Sequence, residues 1–245
     1  MTSPMSLHRP VRTTVRLLVV VLAAAVLATS YSSHRSPASV VRQWAVQVGV
    51  LHTTVGSPSS YAFESTYGPS AQPTRWAACS TISYRVNLAN APHNALTVLA
   101  TQLARTRAVT GLDFVYAGSS AATAAELNVY DASGALAPVV FAWEPSGQLL
   151  GATNVNAVTV PIVDATHAHY TSAVVLFNAD MNAAFVADPT FAANLVLHEV
   201  GHVLGLADVN DAAQVMNTTL APNTTGGAYG VGDLAGLGRL YSANC

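Results

Sequence analysis

The segment His198-Glu199-Val200-Gly201-His202 sets two imidazoles four residues apart, with a carboxylate directly after the first. On a helix, residues four apart lie on one face, one turn above each other, so both rings can reach a single ion. Glu199 then reaches a water on that ion rather than the ion itself. Zinc acidifies such a water and polarises a carbonyl. A neighbouring carboxylate can take the water's proton and later hand it to a leaving amine. These groups are the minimum equipment for hydrolysing a peptide bond. With eight His and only four Glu in the chain, a chance match to this pattern has a probability of roughly 0.4%. The bland reading is two surface histidines on a helix. The flanking residues Leu195, Val196, Leu197, Val200, Val203 and Leu204 argue against it. A helix this apolar is buried, and buried imidazoles and carboxylates need partners.

The pattern continues past the helix. Gly205 follows His202 by three residues and Asp208 by six. Glycine lets the chain turn sharply, so a residue just beyond can swing back to the same ion. His198, Glu199, His202 and Gly205 match, position by position, the extended motif of the metzincin metalloproteases, which this segment resembles. The third ligand position is Asp208 rather than His, as in the snapalysin-like branch. Carboxylate oxygen is an accepted zinc ligand. The alternative is a loop carboxylate, with water completing the site. Met216, within Gln214-Val215-Met216-Asn217, fits the methionine turn that the resemblance implies beneath the metal. Alone, a methionine of this kind is core filler.

The flanking stretches Trp76 to Asn87, Thr110 to Phe114 and Gly232 to Tyr241 look like bacterial matrixin-like proteases. The resemblance thus spans roughly residues 74 to 245. It implies an α+β, zincin-type fold: a twisted mixed five-stranded sheet packed on two long helices, plus a C-terminal helix. It also implies a protein or peptide substrate lying extended along an edge strand. Leu150-Gly151-Ala152-Thr153 is the candidate edge, and the segment around Pro222 to Tyr229 would help form the pocket beyond the scissile bond. No Cys precedes Cys79, so latency through a thiolate on zinc is not expected. His167 and His169 sit near where animal matrixins bind a second zinc, but here they read as exposed loop histidines.

The elements that must position these groups follow from periodicity. Thr81 to Asn87 alternates and is rich in β-formers, which predicts a strand. Pro92 opens a helical stretch to about Val109, with Leu96, Leu99, Ala100 and Leu103 on one face and Gly111 as its stop. Strands are expected over 113–116, 126–130, 158–163 and 172–178, with 139–143 a strand or part of a long loop. Phe191 to Leu204 should be a buried helix stopped by Gly205. Asp233 can cap a last helix running to about Leu240.

Of the 245 residues, 51% are hydrophobic and 9% charged, with a net charge of −2. That balance permits a packed core and gives no clustered Lys and Arg for a nucleic-acid groove. His8, Arg9, Arg12 and Arg16 precede the apolar run Leu17 to Ala28. This reads as a secretory signal over 1–30, too short for a firm membrane span, with an uncleaved anchor as the alternative. Residues 31–73 read as a linker or short pro-segment, and 74–245 as the catalytic domain. In an exported chain Cys79 and Cys245 form a candidate disulfide, or else two idle thiols. Asp131, Asp164, Asp180 and Asp188 are possible calcium ligands. The expectation is a secreted, monomeric zinc endopeptidase. The competing reading is a weak or inactive binding module on the cell surface.

Overall fold

The computed structural model describes residues 56–121, 139–152, 154–220 and 225–241. Three short strands come first: β1 (Ala62–Phe63), β2 (Thr66–Tyr67) and β3 (Gln72–Pro73). Then follow β4 (Thr81–Val86), α1 (Ala95–Thr110), β5 (Asp113–Ser119), β6 (Val139–Glu144), β7 (Ala157–Val163) and β8 (Tyr170–Asn178). The chain closes with α2 (Asn182–Ala187), α3 (Pro189–Leu204), β9 (Leu206–Ala207) and α4 (Val231–Leu240). The expected strand at 126–130 lies outside the described residues, as does the segment expected to be a signal.

The main sheet has five strands in the order β5-β4-β6-β8-β7. Four run parallel, and β7 pairs antiparallel with β8 at one edge. The protein is therefore α+β, with a mixed five-stranded sheet. Strand β4 alternates as its sequence predicts, sending Ile82, Tyr84 and Val86 into the core. These side chains join Phe141, Trp143, Val175 and Phe177 on one face of the sheet, packed with Leu99 and Leu103 of α1 and Leu195 and Val196 of α3. Helix α1 begins at Ala95 because Pro92 closes a turn onto the Ala95 N–H before the helix starts. Its buried face runs through Ala95, Leu99, Leu103, Thr106 and Thr110, and Leu96 is exposed.

The opposite face carries a second cluster of Ala142, Leu149, Val174 and Leu176, with Ala152 packed on it. This placement corrects one expectation. Gly151 and Ala152 are not an edge strand: Leu150 and Gly151 take φ of 52° and 83°, which no strand accommodates. Ala152 packs on the face of the sheet, whose edge strands are β5 and β7. A second correction concerns the start of the fold. Within the expected linker 31–73, β1 pairs with β9, so the chain joins the folded body before residue 74.

Helix α3 is anchored at both ends. At the start, the Asp188 carboxylate accepts from the Thr190 and Phe191 N–H groups, and Pro189 fills the first turn. At the other end, Gly205 takes φ of 100° as a left-handed cap. The late carbonyls of a helix lack backbone partners. Here the Trp76 indole N–H donates to Val203 O at 2.8 Å, and the Tyr241 hydroxyl donates to Leu204 O at 2.7 Å. Trp76→Phe keeps an aromatic ring of smaller size but strands a buried carbonyl. The loss should be about 1–3 kcal/mol, read as a lower melting temperature. A variant melting with the parent would show that neither the indole N–H nor its bulk contributes.

Candidate functional site

Helix α3 presents His198, Glu199 and His202 toward a cleft of about 400 Å³, bordered by β7 on one side and by Thr218 to Leu220 on the other. The left-handed turn at Gly205 reverses the chain and brings Asp208 back over the helix. Asp208 Oδ1 lies 3.3 Å from His198 Nε2 and 3.6 Å from His202 Nε2, and the two Nε2 atoms are 3.1 Å apart. Among the described residues this is the group of His, Cys, Asp and Glu side chains able to hold a metal.

The remaining ring nitrogens orient the two histidines. His198 Nδ1 is 2.8 Å from Val215 O, and His202 Nδ1 is 2.9 Å from Leu206 O. A carbonyl only accepts, so each Nδ1 carries the proton and each Nε2 of the neutral ring carries a lone pair. Two lone pairs then face each other across 3.1 Å with a carboxylate beside them. A metal ion held between them would satisfy all three atoms at once. A tetrahedral ion with bonds of about 2.0–2.1 Å holds its ligand atoms about 3.3–3.4 Å apart, near all three separations here. The donor set of two nitrogens and one oxygen fits zinc, with a coordination position left toward the cleft.

The neighbouring carboxylates also favour positive charge on the rings themselves. Burial works against charge on His198, yet the carboxylates of Asp208 and Glu199, with Val215 O, lift its pKa to about 9. Burial likewise opposes charge on His202, where Glu64 and Glu199 override it and raise the pKa. The contact with His198 holds Asp208 below the usual carboxylate range. The site draws positive charge into a pocket where His198 is only 8% exposed.

Glu199 sits beside the centre and is buried. Its Oε2 accepts from the Thr159 hydroxyl of β7 at 2.6 Å. Met216 lies beneath the helix, its sulfur against Gly201: a Cβ added there would come within 2.3 Å of it. The Met216 turn is clamped from α4. Asp233 Oδ2 accepts from the Val215 N–H at 2.7 Å and the Gly230 N–H at 2.8 Å, and Oδ1 from the Met216 N–H at 3.3 Å. Burial pushes the Asp233 carboxyl up to about 6, against the pull of those donors. In return Gln214 Oε1 accepts from the Gly232 and Asp233 N–H groups. Asp233 was expected as the cap of α4. It sits instead in the first turn and reaches back to Gly230, so one carboxylate serves both the helix start and the turn that orients His198.

Other site residues fall elsewhere. Cys79 lies just before β4, and its expected partner Cys245 is outside the described residues. Asp164 accepts from Thr166 and Ala168 in the turn between β7 and β8, where His169 approaches it at 3.4 Å. Asp188 is committed to capping α3. Sequence reasoning missed Glu64 and Thr159. Glu64 Oε1 is 2.6 Å from His202 Nδ1. Its only signal was a scarce glutamate inside a supposed linker. Compared with family models and with curated proteins, the chain matches none.

Proposed function

We propose that this chain is a secreted zinc-dependent endopeptidase of the matrixin-like, snapalysin-like branch of the metzincins. One observation carries the reading: His198 Nε2, His202 Nε2 and Asp208 Oδ1 converge in an open cleft, with the Glu199 carboxylate alongside. His198, His202 and Asp208 hold the ion. When bound, zinc supplies Lewis acidity, polarising a carbonyl and lowering the pKa of a water. Glu199 takes a proton from the attacking water and delivers it to the leaving amine. Thr159 aims Glu199 by its hydrogen bond. An extended peptide substrate lies along the outer edge of β7, whose Ala157, Val158 and Thr159 border the cleft. Met216 supports the floor as a methionine turn. Secretion, a monomeric state and a Cys79–Cys245 disulfide complete the proposal. No helix among the described residues is long and apolar enough to cross a membrane.

Purified protein should carry one zinc per chain and hydrolyse casein. Chelation should abolish the activity, and zinc should restore it. Zinc-loaded, folded protein without casein hydrolysis would move the reading to a binding module. Protein that takes up no zinc would sink the proposal.

A further inference from the structure

The two histidines of the centre are not equivalent. His198 Nδ1 faces the Val215 carbonyl, whereas His202 Nδ1 faces both Leu206 O at 2.9 Å and Glu64 Oε1 at 2.6 Å. A single Nδ1 proton is thus shared between a carbonyl and a carboxylate. A carboxylate acceptor makes the bond charge-assisted and strengthens the ring's other nitrogen as a donor. Glu64 approaches the nitrogen that points away from the Nε2 centre, so it acts through the ring and not as a fourth ligand.

The position of Glu64 is built, not incidental. Its own N–H donates to Gly205 O at 3.0 Å. The preceding strand pairs Phe63 with Leu206 and Ala62 with Ala207. The same short segment therefore holds the helix exit, the Leu206 carbonyl and the carboxylate that grips His202. The Glu64 side chain is 32% exposed and lines the cleft, close to the substrate side.

We propose that Glu64 is a positioning residue: its carboxylate fixes the His202 ring and raises its donor strength toward the metal. The inference rests on the zinc reading of the site. It also makes residues ahead of 74 a working part of the centre. Zinc affinity of the full chain, measured by competition with a chromogenic chelator, tests it in Glu64→Ala and Glu64→Gln beside the parent. Glu64→Ala should weaken zinc binding about 10- to 100-fold. Glu64→Gln keeps an acceptor of the same size without the charge, and should fall between the two. In Glu64→Gln the His202 Nδ1–H proton resonance should move upfield as the bond loses its charge assistance. A melting temperature of the metal-free variants within a degree or two of the parent would separate this role from general folding. Parent-like zinc affinity in both variants would overturn the inference and leave the zinc reading intact. So would an affinity loss in Glu64→Ala that Glu64→Gln fully restores, because charge would then be irrelevant. A parent chain that binds no zinc would remove both.

Discussion

Glu199→Gln should lower the turnover of peptide hydrolysis by about 10²- to 10⁴-fold while leaving one zinc per chain. Glutamine has nearly the same shape, and its amide oxygen can still accept from the Thr159 hydroxyl that meets Glu199 Oε2 at 2.6 Å. The fold around it should therefore hold. What is lost is a group that can take and return a proton. The metal should stay because the donor atoms belong to His198, His202 and Asp208. Two measurements on the same sample decide the matter: metal content and casein hydrolysis. Activity within tenfold of the parent would remove Glu199 as the base. Loss of zinc would make it a ligand instead.

Asp208→Ala tests the least local part of the same assignment. The side chain is 47% exposed, so its removal opens no cavity in the core, and a loss of zinc at a parent-like melting temperature reports coordination rather than collapse. Unchanged zinc affinity would take Asp208 out of the donor set.

What the sequence made legible follows the range of each interaction. His198, Glu199 and His202 sit on one helix, where spacing alone fixes their relative positions. Asp208 was readable because Gly205 announces a turn immediately before it. The strands expected over 81–87, 113–116 and 158–163 were visible in their β-rich runs, and the structure extends the second to Ser119. Their order was not visible, because pairing is a property of two strands and leaves no mark on either. The misplacement of Gly151 and Ala152 arose there: β7, the edge strand beside the cleft, looked like any other apolar run. Thr159 meets Glu199 only because β7 occupies that edge. Glu64 meets His202 only because β1 pairs with β9 across most of the chain. Both contacts are made by tertiary pairing, and neither residue carries a local pattern. The Asp233 clamp is similar. Its place near a helix start was legible, but its second service, holding the Val215 and Met216 amides, depends on α4 docking beside the turn.

Gly205→Ala should damage the fold and the metal site together. The backbone there has φ of 100°, a region that costs an L-residue about 1–2 kcal/mol. The added Cβ would lie 2.8 Å from Tyr170 Cε2 and 3.0 Å from the Thr74 carbonyl oxygen. One neighbour is a buried ring and the other is backbone, so neither yields cheaply, and overpacking adds about 1–3 kcal/mol. The sum, about 2–5 kcal/mol, corresponds to a melting temperature lower by roughly 5–15 °C for a domain of this size. The damage should not stop at stability. Gly205 O receives the Glu64 N–H, and the next residue supplies the carbonyl that orients His202. The same turn returns Asp208 to the helix. A shift there moves three supports of the centre together, so zinc affinity should fall along with the melting temperature. Gly147→Ala provides the contrast, since nothing lies within 4 Å of its added Cβ. It should melt within about 0.5 kcal/mol of the parent and bind zinc normally. If Gly205→Ala loses stability but keeps full zinc affinity, the turn is a structural cap and does not transmit to the metal site. If it loses neither, the left-handed turn is not what shapes the exit from α3.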